Sequence, residues 1–148
     1  MDTPQEIGFE IRSIANLMRR DFEKYRTQFN LNSPSGMHGW AIGYLINNSS
    51  KDIFQKDFEN EFSIRRSTAS NILKHMEDNG LIKRVPVEYD ARLKKIILTE
   101  KAIEIHKQIS VAIEKRENKM RRGLSDDEIE TFFKITAKLK NNLEDDYD

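Results

Sequence analysis

Arg65-Arg-Ser-Thr-Ala-Ser-Asn-Ile-Leu-Lys-His-Met-Glu-Asp-Asn-Gly80 is followed at once by Leu81-Ile-Lys-Arg-Val-Pro-Val87, and then by Lys94-Lys-Ile-Ile-Leu98. In the first run Ala69, Ile72, Leu73 and Met76 recur at helical spacing, which predicts a helix from Arg65 to Asn79 with Gly80 as its terminating residue. The two later runs change the period from 3.6 to 2. They read as short strands joined through Glu88-Tyr-Asp-Ala-Arg-Leu93, a small hairpin.

Upstream, Ile7, Ile11, Ile14, Leu17, Met18, Phe22, Tyr25 and Phe29 trace one apolar stripe, so a long amphipathic helix is expected over Gln5–Phe29. The turn-rich Asn30-Leu-Asn-Ser-Pro-Ser-Gly36 ends it. A second helix carries Trp40, Ala41, Tyr44 and Leu45, and a third is predicted to open on Asp52, with Gln55 as capping-box partner, and to bury Ile53, Phe54 and Phe58. After the hairpin, Thr99 caps a long helix that runs to about Arg122. Ser125-Asp-Asp-Glu128 is a capping box for a last one bearing Ile129, Phe132, Phe133, Leu139 and Leu143. The order predicts a mainly α fold with a small β-hairpin wing, in which residues 36–98 form a winged helix-turn-helix and residues 1–32 and 99–148 a helical dimerisation layer. The terminal helices carry more apolar surface than so small a winged unit can cover, so a homodimer is expected.

With 148 residues one core is expected. The formal net charge is zero, from 25 basic and 25 acidic residues, which taken whole argues against a nucleic-acid partner. Resolved by region, it does not. Ser63 to Lys95 holds eight Lys and Arg against four Asp and Glu, Ile96 to Gly123 seven against four, Leu124 to Asp148 three against eight, and Met1 to Phe62 seven against nine. A basic middle lies between acidic ends.

The face of the 65–79 helix opposite its apolar stripe presents Ser67, Thr68, Ser70, Asn71 and Lys74, with Arg65 and Arg66 at its start. Small side chains let a helix backbone approach the major groove, amide and hydroxyl groups match base edges, and Arg takes guanine or phosphate. A merely solvated face more often carries Glu and Lys pairs than Ser, Thr and Asn, which are mediocre helix formers. In the wing, Arg92 suits the negative potential of a narrow minor groove and Lys94 and Lys95 suit phosphates. Asp90 is placed to hold Arg92 in one rotamer. The competing reading is a winged helix used as a protein-interaction module, whose outward helix would be expected to expose apolar or acidic residues instead.

Phe62-Ser-Ile-Arg-Arg-Ser-Thr-Ala-Ser70, Met76-Glu-Asp-Asn-Gly-Leu-Ile-Lys-Arg-Val85 and Asp90-Ala-Arg-Leu-Lys-Lys-Ile-Ile-Leu-Thr99 resemble the MarR family of bacterial transcription regulators, and the helix order agrees over nearly the whole chain. The resemblance implies an obligate homodimer with interleaved terminal helices, acting as a repressor on a pseudo-palindromic operator in double-stranded DNA. It places Ser67, Ser70, Asn71 and Lys74 on groove-facing positions and Arg92 on the wing arginine. It also implies a crevice between the dimer helices and the winged part, for which Met18, Phe22, Tyr25, His38, Trp40, Tyr44 and His106 are the candidate lining residues; they suit a small aromatic or anionic ligand.

Other chemistries are not supported. With no cysteine there is no thiol nucleophile, disulfide or thiolate metal site. His38, His75 and His106 have no His, Asp or Glu four residues on, so neither a metal nor another cofactor is expected. No phosphate loop, nucleophile elbow or zincin run is present, so the protein is read as a non-enzyme. The lack of a long apolar run and of a basic-apolar leader leads to the expectation of a cytoplasmic protein without membrane contact.

Overall fold

The computed structural model describes residues 5–28 and 37–145, apart from the side chains of residues 25, 26 and 28. Its elements are α1 (Ile7–Gln28), α2 (His38–Asn47), α3 (Gln55–Glu61), α4 (Arg66–Asp78), β1 (Ile82–Val87), β2 (Asp90–Leu98), α5 (Glu100–Arg121) and α6 (Asp126–Glu144). This is the expected mainly α architecture with a two-stranded antiparallel wing. Phe29 of the anticipated apolar stripe, and the turn at residues 30–36, lie outside the described residues. Two compact units are present, residues 1–111 and 112–148.

The core of the first unit forms where α2, α3, α4 and the base of the hairpin meet. Ile42, Leu45, Ile53, Phe58, Leu73, Met76, Leu81, Ile82, Ile96 and Ala102 are all buried. Tyr44, Phe58 and Phe62 pack edge to face or tilted, with ring centroids 5.4 to 5.8 Å apart. The turn from α3 to α4 is made by Ser63, whose φ of 51° is left-handed, and α4 ends on Gly80 at φ 71°. At such angles a side chain costs about 1 kcal/mol that glycine does not incur, which explains the second position.

Two expectations are corrected by tertiary contacts. Helix α3 does not open on Asp52. The Ile96 amide donates to the Ile53 carbonyl at 2.7 Å, which holds the segment before α3 extended alongside β2. The helix therefore begins after Phe54, whose amide donates to the Asp57 carboxylate at 2.8 Å. Asp52 is left to accept from Lys95 at 3.4 Å and from the Tyr89 hydroxyl at 3.5 Å. The hairpin is also longer than the strand pattern indicates. Val87 pairs with Asp90 across a tight Glu88-Tyr89 turn, whereas Pro86 pairs with Lys94, so Ala91, Arg92 and Leu93 bulge out of the ladder. Pro86 has no amide proton to donate, so the ladder is interrupted beside it.

Thr99 ties the wing to α5. Its hydroxyl donates to the Gly80 carbonyl at 2.6 Å and accepts from the Ala102 amide at 3.3 Å, while its own amide donates to Leu81 at 3.1 Å. In the second unit Ser125 and Glu128 form the expected reciprocal cap, at 3.1 and 2.9 Å. Yet α6 has no buried residue: Phe132 is 56%, Phe133 53% and Leu143 82% exposed. In the first unit the apolar stripe of α1 is similarly open, at Ile7, Ile11, Ile14 and Leu17.

His38 is the one buried polar residue among those described, 2% exposed, with its ring 5.1 Å from that of His75 on α4. Burial first, and His75 second, lower its pKa from 6.5 to about 4. His38 is therefore neutral in the fold when the unfolded chain begins to take up its proton. The stability it contributes is complete above about pH 6.5 and is lost as pH falls toward about 4. A urea unfolding series across that window is expected to show this loss, and His38→Gln should flatten the curve there. At fixed neutral pH, Thr99→Val should cost about 1 to 2 kcal/mol, because it leaves the first turn of α5 and the Gly80 carbonyl without their partner.

Candidate nucleic-acid interface

Ala69, Leu73 and Met76 are fully buried and Ile72 is nearly so, which turns the opposite face of α4 outward. There Ser67, Thr68, Asn71 and Lys74 are exposed, as are Arg65 and Arg66 at the start of the helix. No side chain caps this end: Arg65 is extended and occupies the cap position through its backbone alone. The first amides of α4 therefore remain open to an anion, with two guanidinium groups beside them. Among the described residues, Arg65, Arg66 and Lys94 have no ion pair.

Ser70 differs from its neighbours. It is half-buried, and its hydroxyl lies 2.9 Å from Nε2 of Gln55, which also reaches the Arg66 carbonyl at 3.3 Å. Gln55, assigned from the sequence to a capping box, thus joins the first turn of α3 to α4. No local pattern marks that contact, since it spans fifteen residues.

In the wing, the pairing of Asp90 and Arg92 is as anticipated. The Asp90 carboxylate accepts from the Arg92 amide at 2.9 Å, from Nε at 3.3 Å and from a terminal guanidinium nitrogen at 3.3 Å. These bonds hold the Asp90 carboxyl below its usual pKa, the side-chain bond contributing most. The Arg92 side chain is nevertheless 91% exposed, so it is oriented without being sequestered. Lys94 is exposed. Lys95 is tied to Asp52, and its expected phosphate contact competes with that pair. Lys74 meets Asp78 at 3.5 Å, an exposed i, i+4 pair of the kind worth only a few tenths of a kcal/mol and readily exchanged for a phosphate. Arg84 reaches Glu77 at 3.5 Å and links the base of the wing to α4.

The residues proposed to line a ligand crevice are scattered in environment. Met18 and Phe22 are half-buried on α1, and the Tyr25 side chain lies outside the described residues. Tyr44 packs on Phe58 and Phe62, and His38 on His75. Trp40 is 45% exposed. His106 faces Gly43, where an added Cβ would lie 3.8 Å from its ring, and its Nδ1 is buried without a partner, as is Nε2 of His38. A cavity of about 480 Å³ is found elsewhere, between Leu45, Ile46, Ile53, Ile96, Leu98 and Ile103, with Asp52 and Lys95 at its edge. Among the described residues no cluster of His, Asp and Glu is suited to a metal ion, and no helix is long and apolar enough to cross a membrane.

The chain is similar in sequence and fold to known proteins. A sequence model of the MarR family matches residues 33–93. The transcription regulator MarR from Oenococcus oeni PSU-1 is 30% identical, covering 90% of this chain and 98% of its own, with a TM-score of 0.78. MepR of S. aureus, solved in complex with DNA, is 23% identical and shares the fold at a TM-score of 0.81, over 95% of this chain and all of that one. The heme sensor PefR from Streptococcus agalactiae, solved with heme, is 29% identical over 94% of this chain and 95% of its own, at a TM-score of 0.63. An exposed α4 face of Ser, Thr, Asn and cations, a wing arginine held by Asp90, and this likeness along nearly the whole length lead to one conclusion: the chain belongs to the MarR family of transcription regulators.

Proposed function

We propose that this chain is a homodimeric repressor that reads a pseudo-palindromic operator, with α4 in the major groove and the wing in the adjacent minor groove. The observation that carries the reading is the combination on α4 of a fully buried apolar stripe and an outward face of Ser67, Thr68, Asn71 and Lys74 headed by Arg65 and Arg66. That face lacks the apolar or acidic groups a protein-interaction module would expose. Arg92 supplies the minor-groove contact, and Lys94 with Lys95 the flanking phosphates. No catalytic role is assigned to any residue, and the site of action is taken to be the cytoplasm.

The second copy is argued from α1 and α6. A nineteen-residue helix with no buried side chain, displaying Phe132, Phe133, Ile135 and Leu143, is unstable as a solvated element. Pairing α1 and α6 with the same helices of another copy removes that surface from water and sets two α4 helices about 34 Å apart, one turn of B-DNA.

A small aromatic or anionic effector is the ligand class for which Met18, Phe22, His38, Trp40, Tyr44 and His106 remain the candidate contacts, the cavity found among the described residues lying elsewhere, beside Leu45 and Ile53. The unpartnered ring nitrogens of His38 and His106 supply hydrogen-bonding capacity that the fold leaves unused. A panel of phenols, aromatic carboxylic acids and heme, the last because the similar S. agalactiae protein binds it, tests this by release of bound duplex.

Affinity for duplex DNA should fall steeply with salt, and Arg92→Ala should make the log–log slope shallower by about 2, one phosphate equivalent per protomer. Asn71→Ala should mainly relax sequence preference. Asp90→Ala separates two accounts: loss of a negative charge alone would tighten binding, whereas loss of the Arg92 rotamer should weaken it several-fold. Sedimentation should give a dimer at micromolar concentration, and Phe133→Asp should shift it to monomer and lower duplex affinity by at least about tenfold; unchanged binding in the Arg92, Asn71 and Asp90 variants would remove the assigned roles.

A further inference from the structure

The contact between Gln55 and Ser70 carries an inference about which bases α4 accepts, resting on the reading above that α4 enters the major groove. Nε2 of Gln55 is within bonding distance of two oxygens, Ser70 Oγ at 2.9 Å and the Arg66 carbonyl at 3.3 Å. A carbonyl oxygen only accepts, so the amide must present its nitrogen, and the usual uncertainty between amide oxygen and nitrogen is resolved by chemistry. Both protons of that nitrogen are then engaged. An amide nitrogen does not accept, so Ser70 Oγ must be the acceptor of the second bond.

A serine hydroxyl that accepts from one side has a single proton left to give. Within a helix the usual destination is the carbonyl four residues back, here Arg66. No such bond is made: Gln55 faces that carbonyl instead, and Ser70 has no other partner among the described residues. The proton is left for whatever lies in front of α4, beside Ser67, Asn71 and Lys74.

We infer that Gln55 is a specificity-determining positioning residue, which by donating to Ser70 converts that serine into a hydroxyl donor toward the groove. The base facing Ser70 is therefore one that offers an acceptor there, guanine through O6 and N7 or thymine through O4. Cytosine, which offers only the N4 donor, is rejected, and adenine, with N7 as acceptor and N6 as donor, is intermediate. Gln55 itself touches no base in this arrangement. Its effect passes through the orientation of one O–H bond.

The test is selection of duplexes from a random pool by the full chain and by Gln55→Ala, Gln55→Glu, Ser70→Ala and the Gln55→Ala/Ser70→Ala pair, with circular dichroism confirming that each is folded. Ser70→Ala identifies the base step concerned by losing preference at one position of each half-site. At that position Gln55→Ala should lower discrimination against cytosine at least about fivefold, and Gln55→Glu, whose carboxylate accepts from Ser70 and turns the hydroxyl around, should raise cytosine above its wild-type share. The double variant should be no broader than Ser70→Ala. Gln55 variants that bind every sequence more weakly with an unchanged motif would overturn the inference and leave a packing role, while failure of the wild-type chain to enrich any motif would overturn the DNA reading together with it.

Discussion

Burial of one stripe of α4, Ala69, Leu73 and Met76 with no exposure and Ile72 with little, is the constraint on which the rest of the site depends. An α-helix has no freedom to choose its outward face once its inward face is fixed. Clamping four positions against α2, α3 and the hairpin base turns Ser67, Thr68, Asn71 and Lys74 to solvent. The same clamp sets Ser70 at the edge, close enough to α3 for Gln55 to reach it. Each methylene removed from the stripe would cost on the order of 1 kcal/mol and also loosen the angle at which the helix is presented.

Electrostatics work at shorter range than the neutral total suggests. Lys74, Arg84, Arg92 and Lys95 each meet a carboxylate, while Arg65, Arg66 and Lys94 have none among the described residues. The pairs are mostly exposed, so they add little stability and hold side chains in place more than they neutralise them. Asp90 illustrates the distinction: it reduces net charge where DNA would bind, yet three hydrogen bonds to Arg92 leave the guanidinium both oriented and open. Pre-orientation lowers the side-chain entropy lost on docking.

What could be read from residues alone is what depends on neighbours in sequence. The apolar spacing of α4, the caps at Thr99 and Ser125, the stop at Gly80 and the Asp90–Arg92 pair all act over a few residues, and all are present. Asp52 misleads because a cap is a local inference, and a contact between Ile53 and Ile96 overrides it from across the chain. The bulge at Ala91–Leu93 escapes the strand pattern because it is set by register against Pro86. The Gln55–Ser70 bond joins two helices, and neither helix alone marks it.

In the proposed complex α4 and the wing occupy neighbouring grooves of the duplex in two symmetric copies. Methylation interference on a duplex recovered by selection tests it directly, because the reagent modifies guanine N7 in the major groove and adenine N3 in the minor groove. Guanine interference is expected in two clusters about one helical turn apart, with adenine interference beside each where Arg92 enters. A single unsymmetrical cluster, or binding indifferent to methylation in either groove, would contradict it.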